Sequence, residues 1–224
     1  MSENLQNWQP RPRPERVVLE GHYVRLDPLS AAAHGDGLFA ASAVPDAEAR
    51  FAWLPEHPPT SREDLQAWAE QAERSTDPLF FAVIDKASGQ VAGRQSLMRI
   101  DPDHGVIEIG HIYWGPLISR RPAATEAQFL FMKYAFDELG YRRYEWKCNN
   151  RNEPSKRAAI RFGFQPEGVF RQHLIVKGEN RDTAWFSIID KEWPSLCAAY
   201  EKWLDPSNFE ASGTQKRRLE ECRA

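Results

Sequence analysis

The stretch VIEIGHIYWGPLISRRPAATEAQFLFMKYAFDELGYRRYEWKC, Val106–Cys148, decides the fold. Val106–Trp114 reads as a strand. Arg121-Pro122 then punctuates a loop. From Ala123 to Leu139 the apolar period lengthens: Ala127, Leu130, Phe131, Tyr134 and Ala135 share one face of a helix, and Gly140 supplies a C-cap. Tyr141–Cys148 alternates, with Tyr144, Trp146 and Cys148 on one side and Arg143, Glu145 and Lys147 on the other, so it is a strand buried on one face. A strand–helix–strand unit closes as a right-handed crossover, which predicts that Val106–Trp114 and Tyr141–Cys148 run parallel.

Upstream of this unit, Val17–Leu19 and Tyr23–Leu26 flank a hairpin turn at Glu20-Gly21-His22. Ala31–Ser42 is an alanine-rich helix. Ser61-Arg62-Glu63-Asp64 resembles a capping box, with Leu65, Trp68, Ala69 and Ala72 following at helical spacing. Leu79–Ile84, Val91–Ile100 and Val106–Trp114, joined by turns at Lys86–Gly89 and Asp101–Gly105, form an antiparallel meander. Downstream, a helix runs from Asn152 to Phe162 and stops at Gly163, and Val169–Val176 pairs with Thr183–Ile189 across Lys177-Gly178-Glu179-Asn180. Trp193, Leu196, Tyr200 and Trp203 mark a last helix with Pro194 in its first turn. The expected fold is α/β (α+β): a mixed central sheet of about seven strands, antiparallel in its N-terminal half, with a splayed parallel pair and flanking helices. The expected organisation is a flexible proline-rich arm over 1–15, one domain over 16–205 and a charged tail over 206–224.

Composition narrows the function. A formal charge of −3 argues against the broad basic surface that nucleic acid requires, so no direct nucleic-acid binding is expected. Cys148, Cys197 and Cys222 form no CxxC pair, as in a reducing compartment, and no His/Cys cluster has metal-ligand spacing, so no metal is expected. Residues 1–16 lack an apolar signal core, and no run approaches the roughly 20 apolar residues of a membrane span. A cytoplasmic protein without membrane attachment is the expectation.

Two local features carry chemistry. The loop Gly115–Pro122 leads from a strand end into a helix N-terminus, where unpaired amides and the helix dipole favour an anion such as a pyrophosphate, and Arg120 and Arg121 add charge beside it. A solvated arginine pair on an ordinary connecting loop would leave the same trace. In Asn152-Glu153-Pro154-Ser155, Asn152 caps the helix and Pro154 suits its first turn. Ser155 either satisfies a first-turn amide or places its hydroxyl at the strand end.

Asn-x-x-Ser-x7-Gly-Phe over Asn152–Phe164, after a strand that follows a helix opened by a basic loop, resembles the coenzyme A-binding core of GNAT (GCN5-related) acetyltransferases. Glu108-Ile109-Gly110-His111, Ala124-Thr125-Glu126-Ala127, Arg143–Cys148, Glu167–Arg171 and Asn180-Arg181-Asp182-Thr183 are similar to the RimJ/RimL-type branch, which acetylates ribosomal-protein N-termini. The resemblance covers roughly 17–205. It implies acetyl-CoA as acyl donor, held by Tyr113, Trp114, Ser119, Arg120, Arg121, Ala123, Ala124, Thr125, Asn152 and Ser155. Two departures stand out. The family's loop pattern Arg/Gln-x-x-Gly-x-Gly/Ala reads Ser119-Arg120-Arg121-Pro122-Ala123-Ala124 here, so Pro122 replaces a glycine and removes one amide donor. The tyrosine that many members carry seven residues after the asparagine is Ala159, and the branch is thought to use the serine, here Ser155, toward the leaving thiolate.

Acetyl transfer needs a neutral amine, a stabilised oxyanion and a leaving thiolate that receives a proton or hydrogen bond. Glu108 is the expected base, on one strand face with Gly110, Ile112 and Trp114; His111 and His173 rank below it. An arginine partner on a neighbouring strand would be its purely structural role. A backbone N–H near Tyr113 or Trp114 is the expected oxyanion donor. The resemblance implies direct transfer in a ternary complex. The acceptor, a primary amine on a small molecule or a protein N-terminus, is expected against Phe51–Pro59 and the Phe170–Val176 hairpin, with Trp53, Arg171 and His173 as its contacts. Trp53 reads either as a core plug or as a stacking surface. The alternatives are a non-catalytic acyl-CoA-sensing module, for which the missing loop glycine speaks, and an RNA- or ribosome-associated binding protein. A homodimer is compatible with the reading.

Overall fold

The computed structural model describes residues 5–223; residues 1–4 of the expected arm and Ala224 of the expected tail lie outside them. Its strands are β1 (Leu19–Glu20), β2 (Val24–Pro28), β3 (Leu79–Asp85), β4 (Gln90–Asp101), β5 (Val106–Trp114), β6 (Arg143–Asn149), β7 (Gln165–Val176) and β8 (Glu179–Ile189). Its α-helices are α1 (Ala31–Ser42), α2 (Ala47–Phe51), α3 (Arg62–Arg74), α4 (Pro122–Lys133), α5 (Glu153–Phe162) and α6 (Trp193–Leu204). They build one mixed sheet in the order β1-β2-β3-β4-β5-β6-β8-β7, with eight strands rather than about seven, the expected Val17–Leu19 arm being reduced to the two-residue edge strand β1 on β2. β5 and β6 are the parallel pair, as the crossover through α4 requires.

The helices divide between the two faces. α4, α5 and α6 cover one face, over a core that includes Phe81, Ile107, Ile109, Phe131, Tyr144 and Tyr200. Phe81 meets Phe131 edge-on at 5.1 Å, and Phe129 stacks on Tyr200 at 5.3 Å, which locks α4 between the sheet and α6. α1 and α3 cover the other face over a smaller cluster of Leu29, Leu38, Leu65, Phe80 and Ile84. Ser61 caps α3 by accepting from the Asp64 amide at 3.1 Å, as the capping-box reading expects.

Helix α4 is held in register by a buried acid. The Glu126 carboxylate accepts from the amides of His22 (2.7 Å), Tyr23 (2.6 Å) and Val24 (2.8 Å), so the β1–β2 hairpin is pinned to the helix. Gly21 is required there, because a Cβ would stand 2.3 Å from the Glu126 carboxyl carbon. The expected helix to Leu139 changes pitch: Tyr134–Glu138 is a π-helical turn, and the Leu139 amide bonds to the Tyr134 carbonyl at 3.0 Å. At the chain ends, the Trp8 indole donates to the Asp103 carbonyl at 2.6 Å, and Leu219 and Cys222 are buried in the larger core.

Candidate active site

The site exists because two neighbouring strands follow different partners. β5 pairs with β6 from Val106↔Arg143 to Ile109↔Trp146 and no further. Beyond that point β5 follows β4 to Gly93↔Trp114, while β6 follows β8 to Asn149↔Thr183. Right-handed sheet twist draws the two apart, and their facing backbone groups have no ladder between them. A cleft of about 590 Å³ opens in the gap, lined on its two sides by Glu108 and Lys147 and by Trp146, Ser155 and Ala158.

A bulge in β5 shapes the gap. Arg94 pairs with Tyr113 and Ser96 with Gly110, so β5 carries one extra residue, and His111 adopts a φ of 49° there. This corrects the expectation that Glu108 and Trp114 share a face. Strict alternation reverses at the extra residue: Trp114 packs edge-on against Phe162 of α5 at 6.0 Å, whereas Glu108 lies opposite Glu145 on the α3 side. Tyr113 turns the same way as Glu108, its ring tilted on Phe51 at 4.7 Å and its hydroxyl donating to the Ala41 carbonyl at 2.7 Å. At Gly110 a Cβ would stand 2.1 Å from the sulfur of Met98 on β4, so the absence of a side chain there makes room for Met98 against β5.

On the α4–α5 face the fittings suit an anion and a thioester. No side chain caps α4; Pro122 occupies its first turn, and Arg121 precedes it in extended conformation. Arg120, Arg121, Ala124, Thr125 and Arg161 line a pocket of about 480 Å³ at this helix end. Arg161 donates to the Thr125 hydroxyl at 3.0 Å and lies over the Trp203 ring at 5.0 Å, a third cation beside the loop. Ser119 instead closes its own loop, donating to the Trp114 and Gly115 carbonyls at 2.8 and 2.9 Å. Asn152 caps α5 by accepting from the Ser155 amide at 3.1 Å. The Ser155 hydroxyl accepts from the Trp146 indole at 3.0 Å, which aims it at the β6 end.

On the opposite face Glu108 is 5% exposed and ion-paired to Lys147 at 2.8 Å and to Arg99 at 3.2 Å. Burial raises its pKa above the ordinary carboxylate value, and Lys147 and Arg99 pull the other way. Lys147 also bonds Glu145 at 2.9 Å and lies 3.6 Å over the Trp185 ring. Trp53, 38% exposed, lines the cleft with Leu54 and Pro55. His173 lines it too, sharing a hydrogen bond with the Thr183 hydroxyl at 3.0 Å, and burial followed by the charges of Arg99, Arg181 and Lys147 lowers its pKa. Arg171 opens onto a separate groove along the β7–β8 hairpin and is not brought to the cleft.

Four participants were given no role from the sequence, although Glu56 lies within the expected Phe51–Pro59 wall and Arg181 within the Asn180–Thr183 string. Glu56 bonds His111 Nδ1 at 3.1 Å and Arg94 at 3.3 Å, tying the Trp53–Pro55 wall to the bulge. Arg94, 4% exposed, lies over the Trp68 ring at 4.1 Å. Arg161 and Arg181 complete the set. All four depend on contacts between segments far apart in the chain; only the helical spacing of Arg161 from Asn152 hints at its facing α4. Among the described residues no group of three or more His, Cys, Asp or Glu side chains is placed to hold a metal ion.

A mixed sheet that parts between parallel strands, with cations around an open helix N-terminus on one face and a buried carboxylate on the other, defines the acetyl-CoA-dependent N-acetyltransferase fold. The chain belongs to the acetyltransferase (GNAT) domain family, which matches residues 24–165. A GCN5-related N-acetyltransferase from Brucella melitensis is 69% identical, with a TM-score of 0.97 over 98% of this chain and 99% of that one. Among curated relatives, N-acetyltransferase p20 of Bacillus licheniformis, itself uncharacterised, is 31% identical over 50% of this chain and 63% of its own length. YdaF of Bacillus subtilis, provisionally named a ribosomal N-acetyltransferase, is 32% identical over 47% and 57%. The match thus spans less than two thirds of each of these curated relatives. The microcin C7 self-immunity acetyltransferase MccE, crystallised with acetyl-CoA and AMP, shares the fold at 20% identity and a TM-score of 0.66, over 75% of this chain and 93% of its own.

Proposed function

We propose that the protein transfers the acetyl group of acetyl-CoA to a primary amine, on a small molecule or a protein N-terminus, by direct attack within a ternary complex. The observation that carries this reading is the end of the β5–β6 ladder at Ile109↔Trp146 while both strands continue. Acetyl-CoA supplies a thioester whose carbonyl carbon accepts the amine. Arg120, Arg121, Arg161 and the first amides of α4 suit its diphosphate, so the loss of one donor at Pro122 is offset by charge. Unladdered amides of β5 beside the bulge, near Tyr113 and Trp114, suit a developing oxyanion. Ser155 is assigned to the departing sulfur. Its hydroxyl accepts from Trp146 and keeps its own proton to donate. Asn152 fixes the turn that presents Ser155.

Glu108 is assigned as the base, directly or through a water, with a pKa raised by burial toward the useful range. Lys147 and Arg99, paired with it at 2.8 and 3.2 Å, favour its ionised form against the effect of burial. The membership in the family and a chain with no helix, among the described residues, long and apolar enough to cross a membrane fit work in the cytoplasm. Thiol release from acetyl-CoA, measured across a panel of amino acids, simple amines and N-terminal peptides, tests the reading. Turnover on one amine class supports it; acetyl-CoA binding with no turnover on any amine would return the protein to the class of acyl-CoA-sensing modules.

A further inference from the structure

The cleft holds several cations on its α3 side, and all but one have a partner. Arg99 and Lys147 pair with Glu108, and Arg50 with Asp46. Arg181 is the exception. It lines the cleft, its Nε is buried without a hydrogen-bond partner, and no described carboxylate pairs with it. A guanidinium has five donors in a fixed fork, and leaving one of its N–H groups buried and unpaired is costly. Burial lowers its pKa, the charges of Cys148 and Glu108 oppose this, and Arg99 adds to it.

Its place in the sheet says which substrate it faces. Lys147 pairs with Trp185 and Glu145 with Ser187, so alternate residues of β8 share the face that carries Lys147 and Glu108. Arg181 and Thr183 continue that row. The helix N-terminus suited to a diphosphate lies on the other face, and the pantetheine arm between carries no charge. The buried donor is therefore on the acceptor's side.

We infer that Arg181 is the anion-recognition residue for the acceptor, so that the preferred amine bears an oxyanion, a carboxylate or a phosphate, on the same small molecule. The amine would lie toward Glu108 and the oxyanion toward Arg181, the bidentate geometry to which arginine is suited. A free amino acid satisfies this; the α-amine of a protein N-terminus, whose carboxyl is an amide, does not. The inference deepens the acetyltransferase reading and rests on it for the role of Glu108, but the binding of the anion can be read without turnover.

The test uses the full chain with coenzyme A bound and titrates matched probes by calorimetry. One set comprises α-amino acids with small, apolar and aromatic side chains, each against its carboxamide; the other is O-phosphoethanolamine against ethanolamine. The expected result is that the anionic member of at least one pair binds about tenfold to a hundredfold tighter, the range of a charge-assisted hydrogen bond. Which pair discriminates separates carboxylate from phosphate. Arg181→Gln should bring that ratio toward one, and Arg181→Lys should keep part of it, with melting curves and acetyl-CoA affinity recording that both variants fold. In the thiol-release assay the same ratio should appear in KM rather than kcat. Equal or absent binding of both members in every pair overturns the inference, as does a preference that survives Arg181→Gln. Anion-selective binding without turnover would leave the Arg181 site standing and remove the catalytic reading instead.

Discussion

Glu56→Gln removes one charge and nearly no volume from the cluster that joins the cleft wall to the β5 bulge. Glu56 and Arg94 have side chains only 23% and 5% exposed, so solvent screens their attraction weakly. Burial by itself would raise the Glu56 pKa; the hydrogen bond from His111 and the charges of Arg94 and His111 reverse this and bring it from the usual 4.5 to about 2. A gap of about 2.5 pH units between the folded and unfolded carboxyl corresponds to roughly 3 kcal/mol of stability at neutral pH. An independent figure agrees: removing one partner of a buried ion pair costs about 3–5 kcal/mol, because the guanidinium left behind stays buried. For a chain of this size the variant should melt roughly 6–12 °C below wild type. The sign with pH is set by a depressed carboxyl pKa. The contribution is complete above 4.5 and disappears as pH falls toward about 2, so the two melting curves should converge in that window. Melting followed by tryptophan fluorescence from pH 7 to pH 3 measures both effects. Equal midpoints at neutral pH, or a difference that stays constant to the lowest pH reached, would refute the reasoning. Because the cluster holds Trp53–Pro55 and His111 on the acceptor side, KM for the amine should also rise more than KM for acetyl-CoA.

Other perturbations address the assigned chemistry. Ser155→Ala should lower kcat roughly a hundredfold, in the range of a lost proton donor, while acetyl-CoA affinity by calorimetry changes far less. Glu108→Gln should flatten the rise of kcat/KM with increasing pH that deprotonation of a buried carboxyl produces; wild-type kinetics in both variants would falsify the two role assignments. Lys147→Met removes the nearest counter-charge from a carboxyl already raised by burial, so the same limb of the pH profile should move to higher pH. A limb that stays put would mean another group titrates.

Much of the frame was legible because it depends on local rules. The period change at Pro122, the Gly163 stop, the Asn152 cap and the parallel crossover of β5 and β6 follow from backbone sterics, capping and chirality, which act within one or two elements. The Asn-Ser spacing and the basic loop likewise marked the two helix starts, of α5 and α4, that line pockets beside the ends of β6 and β5. Where the reading of local pattern failed, an added degree of freedom was responsible. One extra residue at His111 reversed the face of every position after it, which no count of alternating residues reveals. A π-helical turn at Tyr134–Glu138 altered the pitch at the end of α4 in the same way.

The chain's own order of residues determined the elements, the hairpin pairings, the parallel crossover and the family, since propensity, capping and the handedness of a crossover are short-range properties. Only the tertiary structure decided where the β5–β6 ladder ends, which cations of the cleft are neutralised, and that Arg181 is not. Charge pairing and burial are set by segments tens to hundreds of residues apart, as Glu56 with His111 and Lys177 with the Phe51 carbonyl illustrate, and the energy of a buried charge depends on all of its neighbours at once.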